Sequence, residues 1–273
     1  MKEVKALILT GFGLNCDMET AYAFELAGAT AHRVHINALI NGKVELEDFH
    51  ILVFGGGFSW GDDHGAGVIQ ALKLKNHLGD KLLSFVERGS LVLGICNGFQ
   101  TLVNLGLLPG LDNDYRARSV ALTWNDCGNF RDQWVTLRGN DNSPCVFTKG
   151  IITADLPVRH GEGKFVTDDL TLERLMANNQ VVFRYADKNN EPARGVFPIN
   201  PNGSMDDIAG ICDPTGRIFG LMPHPEGFNH PTNHPDWARK KEELKRQGKP
   251  MDSELTPGIM IFKNGVDYMA SIL

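Results

Sequence analysis

The chain has 273 residues, of which 42% are hydrophobic and 22% charged. That apolar share can build a full core, which excludes wholesale disorder. Its 33 acidic and 27 basic residues give a net charge of −6, so no basic nucleic-acid footprint is expected.

Five cysteines with no C-x-x-C pair suit a reducing cytosol better than a disulfide framework. The first apolar run, Ala6-Leu7-Ile8-Leu9, is too short for a signal-peptide core. No apolar stretch approaches the ~20 residues that span a bilayer. A soluble, cytoplasmic protein with no membrane contact is the expectation. Glycine stands at 30 residues, about 11% against a typical ~7%, and follows no G-X-Y period. The excess points to tight turns and to backbone that approaches a ligand.

Ala6 to Leu9 reads as a buried strand closed by Gly11 and Gly13. Asp17 can cap a helix to about Ala27, with Ala21, Phe24 and Leu26 inward and Gly28 at its end. Ala31 to Ile36 is a second strand, and Ile51 to Phe54 a third, stopped by three glycines. Helical signals follow from about Ala66 to Leu74 and from Asp80 to Arg88, where Gly89 ends the second. Leu91 to Ile95 is another buried strand, and Asn97 to Leu105 is helix-like. Strands that are apolar throughout and alternate with helices imply an open, mostly parallel sheet covered by helices on both faces.

From about residue 117 the pattern changes. Trp134 to Leu137, Phe165-Val166 and Val181 to Tyr185 read as shorter, inserted antiparallel strands, and Pro198 to Ser204 as a loop. Ile218 to Met222 returns to the buried-strand style, and about Gly258 to Leu273 forms a closing helix. The mixed-sign run Arg239 to Arg246 reads as a solvated helix. With no repeat or long linker, residues 1–273 read as one α/β domain.

Two glycine clusters can carry chemistry. Gly55-Gly56-Gly57 follows a strand, and ligands collect outside the carboxyl ends of strands in such sheets. No Lys-Ser/Thr follows, which excludes a P-loop. The cluster is either a tight turn or bare backbone that aims N–H groups at a substrate oxygen. The second cluster, Gly94-Ile95-Cys96-Asn97-Gly98, is the cysteine analogue of the G-x-S-x-G nucleophile elbow. Its strand–turn–helix context makes Cys96 a candidate nucleophile, and the other four cysteines read as packing residues.

A nucleophilic cysteine needs a base and an orienting acceptor. His224 follows a buried strand in Met222-Pro223-His224-Pro225-Glu226, so it emerges at the same sheet edge as Cys96. Pro225 holds His224 extended, and residues i and i+2 of extended chain point the same way. Glu226 can therefore reach its imidazole. His230 and His234 are four apart, but Pro231 and Pro235 disfavour the helix a metal pair needs, so no metal site is expected. His160, in Arg159-His160-Gly161-Glu162-Gly163, either contacts substrate or orders a turn. Asp62, Asp63 and His64 could bind a cation but read rather as a solvated loop.

These residues resemble the class I, or triad, glutamine amidotransferases, a flavodoxin-like family. The resemblance rests on G-G-F-S-W-G-D at 56–62, G-I-C-N-G-F-Q at 94–100, L-G-L-L-P-G at 105–110, H-G-E-G-K-F at 160–165, G-S-M-D-D-I-A-G at 203–210 and G-L-M-P-H-P-E at 220–226. Its finer motifs are similar to the family's glutaminase subunits of purine biosynthesis. The resemblance implies that Cys96 attacks glutamine and that His224, oriented by Glu226, moves the protons. It implies that the N–H groups of Gly57 and Asn97 hold the oxyanion, while Gln100 and the Gly56-Gly57 turn position glutamine. It implies that ammonia passes to a formylglycinamide ribonucleotide synthetase subunit, with a small third subunit as a further candidate partner. ATP and magnesium would bind that synthetase, and no cofactor would bind this chain. Two other readings stay open: a subunit serving a different synthetase or a stand-alone hydrolase, and a non-catalytic glutamine sensor. The chain departs from the family pattern at Gly227, where Arg is frequent, and in longer segments near 112–132 and 228–257.

Overall fold

The computed structural model describes residues 2–250 and 255–273. The chain opens with β1 (Lys5–Thr10), α1 (Asp17–Leu26), β2 (Thr30–His35), α2 (Ile36–Ile40), β3 (Ile51–Phe54), α3 (Val68–Glu87), β4 (Leu91–Ile95) and α4 (Asn97–Leu105). It continues through β5 (Val120–Thr123), β6 (Arg131–Gly139), β7 (Thr153–His160), β8 (Lys164–Thr167), α5 (Asp169–Ala177) and β9 (Val181–Ala186). It ends with β10 (Ile208–Cys212), β11 (Ile218–Leu221), α6 (Trp237–Arg246) and α7 (Pro257–Ile272).

Nine strands form one sheet in the order β2-β1-β3-β4-β11-β10-β9-β6-β7. The first five are parallel neighbours. From β11 outward the pairings turn antiparallel. β5 and β8 form a separate antiparallel pair. The expected inserted strands thus extend the main sheet rather than standing apart from it, β8 excepted.

Direction of travel explains the two helical layers. From β1 to β2 the chain moves one way across the sheet, and from β3 to β4 it moves the other. Right-handed crossovers then place α1 and α3 on opposite faces. α1 packs against α7, with Phe24 edge-on to Phe262, and α3 packs against α4. Strands β3, β4 and β11 are buried along their whole length, as continuous apolar runs require. Reversal of direction at β1 and β3 creates the crevice where ligands bind in open α/β sheets.

Several local expectations change. The two helices expected at 66–74 and 80–88 are one helix, α3, running through Gly79. Ala71, Leu74, Leu78, Leu82 and Phe85 keep one buried stripe across that glycine, and burial of the stripe outweighs its low propensity. Asp17 is the first residue of α1 rather than its cap, and its carboxylate accepts a bond from Arg33 Nε at 2.6 Å. Leu26 points outward, 43% exposed. The 112–132 segment carries β5, and 228–257 carries the solvated helix α6. Residues 251–254 of the latter segment lie outside the described residues. Asp155 of β7 ties α6 down, accepting from His234 Nε2 at 3.2 Å and Lys240 Nζ at 3.1 Å. No helix among the described residues is long and apolar enough to cross a membrane.

Gly79 offers a stability test. A Cβ there would meet nothing within 4 Å. Gly79→Ala should raise the unfolding free energy by about 0.5–1 kcal/mol through lower backbone entropy in the unfolded chain. A higher urea midpoint at constant m-value would register the gain, and an unchanged midpoint would count against the account of α3.

Candidate active site

The elbow comes first. Cys96 joins β4 to α4 at φ +51° and ψ −107°, a conformation that ordinarily favours glycine. The surroundings hold it there. Its N–H donates to Leu221 O at 2.8 Å, and its carbonyl accepts from Gln100 N at 3.1 Å. A Cβ on Gly94 would lie 2.5 Å from Leu102 Cδ1, and one on Gly98 would lie 1.8 Å from Phe54 O. Both elbow glycines are therefore steric necessities. Cys96 is buried, and its thiol donates to Arg159 O at 3.5 Å.

His224 arrives from the neighbouring strand. Its backbone is extended, as Pro225 demands, and its N–H donates to Pro157 O at 2.8 Å. Glu226 lies in a short 3-10 turn, Pro225–Phe228, rather than on extended chain. It still places Oε1 2.6 Å from His224 Nδ1. Both side chains are buried. Burial pushes the imidazole's pKa down most strongly of any single cause, but the Glu226 carboxylate together with the Cys96 and Cys16 thiols outweighs it, and the pKa rises well above the ordinary value. Nδ1 is committed to Glu226, so Nε2, buried with no partner among the described residues, is the nitrogen left for proton transfer. Gly227 stands against β7, where a Cβ would approach Pro157 Cγ to 2.9 Å. That contact leaves no room for the arginine the family pattern often places there.

The first glycine cluster divides its work. A Cβ on Gly56 would lie 2.6 Å from His224 Cε1, so Gly56 seats the imidazole. Gly57, at φ +143°, lets the loops after β1 and β3 cross, since a Cβ there would lie 2.7 Å from Gly13 O. Asn97 opens α4, so its N–H has no partner within the helix. Its side chain accepts from Ser59 N at 3.2 Å and donates to Asp62 Oδ1 at 2.9 Å and to Gln100 Oε1 at 3.0 Å. Gln100 in turn donates to Glu162 O. The sheet edge thus brings Cys96, His224, Glu226, Gly56, Gly57, Asn97 and Gln100 into one connected site.

His160 ends β7 and is buried, with Nδ1 3.1 Å from Asn125 Oδ1. Burial and the nearby His224 press its pKa down to about 3, so it stays neutral. A Cβ on Gly163 would lie 2.3 Å from its ring, so Gly163 is the space the imidazole needs. Asn125 also donates to His160 O at 2.8 Å. In this arrangement His160 orders the turn.

Four contributors went unread in the sequence. Asp62 is half-buried and bonded to Asn97, not part of a solvated loop. Burial and the neighbouring Glu162 raise its pKa to about 6, against the opposing bond from Asn97. Glu162 and Asp62 flank a cleft of about 380 Å³ walled by Phe58, Trp124 and Phe130. Cys16 was expected to pack in the core but is partly exposed, with Sγ 3.9 Å from His224 Nδ1. Its position after the first strand's glycines was the one available signal. Asn125 carried no signal, since only the folded chain brings it to His160. Of the other cysteines read as packing residues, Cys145 and Cys212 are buried, whereas Cys127 is partly exposed.

Comparison with known proteins gives a consistent picture. A family model described as a CobB/CobQ-like glutamine amidotransferase domain matches residues 3–269. A Methanococcus maripaludis protein named phosphoribosylformylglycinamidine synthase subunit PurQ is 49% identical over 264 residues, 97% of each chain. A protein of the same name from Dehalococcoides mccartyi is 45% identical over 272 residues, covering both chains in full. Among solved structures, a chain of PurLQS from Thermotoga maritima matches at TM-score 0.71 and 27% identity, over 98% of this chain and 99% of that one.

The depressed His160 pKa has a consequence for stability. Between the ordinary value of 6.5 and about 3, the unfolded chain binds a proton that the folded chain excludes. This group's contribution is therefore fully present above pH 6.5 and falls as the pH drops, by up to about 1.4 kcal/mol per pH unit. His160→Gln should flatten the slope of unfolding free energy between about pH 6 and 4 by that amount. Identical slopes in denaturant titrations of the two proteins would refute the assignment.

Proposed function

Since the chain belongs to the CobB/CobQ-like glutamine amidotransferase family, we propose that it is the glutaminase subunit of a phosphoribosylformylglycinamidine synthase. It hydrolyses glutamine to glutamate and ammonia. The ammonia passes to a synthetase subunit, which converts formylglycinamide ribonucleotide to formylglycinamidine ribonucleotide with ATP in purine biosynthesis. A small third subunit joins the two, ATP and magnesium bind the synthetase, and the complex works in the cytoplasm. The relatives named for this synthase, matched along nearly the whole chain, support this partner over a different one.

The observation that carries the chemistry is the strained Cys96 beside a buried His224–Glu226 pair at one sheet edge. Cys96 Sγ attacks the side-chain amide carbon of glutamine, and His224 Nε2 takes the thiol proton. The N–H groups of Gly57 and Asn97 stabilise the oxyanion. As the C–N bond breaks, His224 returns its proton to the departing ammonia. Water, deprotonated by His224, then attacks the γ-glutamyl thioester. The C–S bond breaks, glutamate leaves and Cys96 recovers its proton. Gln100 orders the pocket wall by joining α4 to the Glu162 loop.

Cys96→Ala in the reconstituted complex should lower glutamine-dependent product formation at least ~10³-fold while leaving ammonium-dependent formation intact. Loss of both activities from a correctly assembled complex would argue against ammonia delivery. Glu226→Gln should reduce kcat by about 10²–10⁴ with little change in KM, because it disturbs the imidazole and not glutamine binding. Steady-state glutaminase kinetics checks both numbers.

A further inference from the structure

Cys16 has no role in the steps above, yet it lies against the imidazole that performs them. Its Sγ is 3.9 Å from His224 Nδ1, and its own bond, to Asn15 Oδ1, is 3.4 Å long. Glu226 Oε1 approaches the same nitrogen at 2.6 Å. One donor atom each from Cys16, His224 and Glu226 lies within 4.8 Å of the other two. Glu226 Oε2 is buried with no partner among the described residues, so the cluster keeps an unused acceptor. Cys16 is partly exposed, which gives an ion a way in.

We propose that Cys16, His224 and Glu226 form an inhibitory site for a thiophilic divalent cation of the zinc type. The proposal rests on His224 being the catalytic base. A thiolate, an imidazole nitrogen and a carboxylate are a zinc donor set, whereas magnesium and calcium take all-oxygen shells. Zinc bonds of 2.0–2.3 Å put tetrahedral ligands about 3.5 Å apart. The sulfur–nitrogen gap of 3.9 Å is therefore already near that spacing. Glu226 would exchange its hydrogen bond for a metal bond, with water as the fourth ligand. The thiol proton leaves to solvent, and the ring proton displaced from Nδ1 moves to Nε2. Nε2 then has no lone pair to accept the Cys96 proton, and glutamine turnover stops. Such an ion is a reversible inhibitor, not a resident cofactor.

Two measurements on the full-length chain test this. In the first, glutaminase rates are titrated with Zn²⁺ in the wild type and in Cys16→Ser. Each rate is normalised to its own metal-free value, so any basal change divides out. The wild type should be inhibited, with recovery on adding EDTA. Cys16→Ser should need at least tenfold more Zn²⁺ for half-inhibition, on the ~10–100-fold scale that even outer-shell losses cost. In the second, Co²⁺ replaces Zn²⁺ and the thiolate-to-cobalt charge-transfer absorption is recorded. The band should persist in Cys96→Ser and vanish in Cys16→Ser. A band that follows Cys96 instead, or equal Zn²⁺ sensitivity in wild type and Cys16→Ser, would overturn the proposal. The band needs no turnover, so its appearance in a wild type that stays inactive even in the reconstituted complex would support the site and count against the functional reading.

Discussion

One backbone contact holds the Cys96 elbow in register. Gly98 of α4 passes so close to Phe54 at the end of β3 that a Cβ would sit 1.8 Å from its carbonyl oxygen. That approach sets where α4 begins relative to β3 and β4, and Cys96 is the residue left to make the turn. Its φ of +51° follows from the packing on either side. Strain of this kind costs of order 1–3 kcal/mol and persists only when its surroundings over-determine it. Here they do. The carbonyl of Cys96 starts the hydrogen-bonding of α4, its N–H binds the end of β11, and Phe54, Phe99 and Leu102 bury the junction.

The antiparallel half of the sheet is the back wall of the site. β7 is the last strand of the sheet order, paired among the described residues with β6 alone, and it contains Pro157. Proline has no N–H, so its nitrogen must face away from β6. The carbonyls of residues 157 and 159 share that free edge. The first accepts from His224 N at 2.8 Å, and the second from the Cys96 thiol at 3.5 Å. An edge that could otherwise template aggregation is covered by the P-H-P-E segment. The segment in turn gains a fixed anchor for its histidine. Asp155, two residues earlier, fastens the later segment through His234 and Lys240.

What the sequence made legible was local. Continuous apolar runs marked β1, β3, β4 and β11, and the glycines around Cys96 and the prolines around His224 pointed to the proposed nucleophile and its base. Burial on both faces and backbone strain leave such marks on adjacent residues. β7 was hidden because Pro157 breaks a strand pattern, although an edge strand tolerates it. α3 looked like two helices because Gly79 resembles a stop, yet the buried stripe on either side continues its phase. Cys16, Asp62, Glu162 and Asn125 gain their roles only from contacts between distant segments, and no short pattern encodes those. Gly56 belongs to the turn expected to position glutamine, and its missing side chain is also the space the His224 ring occupies.

Two buried histidines show why the carboxylate is needed. His160 and His224 both lie in the interior near Cys96, and burial pushes both imidazoles towards neutrality. His160 has only the neutral amide of Asn125 at Nδ1 and falls to about 3. His224 has Glu226 at 2.6 Å and moves the opposite way. Glu226 is the strongest of the groups that oppose burial at His224, and the Cys96 and Cys16 thiols add to it. The charge on His224 also helps keep His160 neutral. The pocket therefore carries one imidazole whose surroundings favour the protonated form and one that stays neutral.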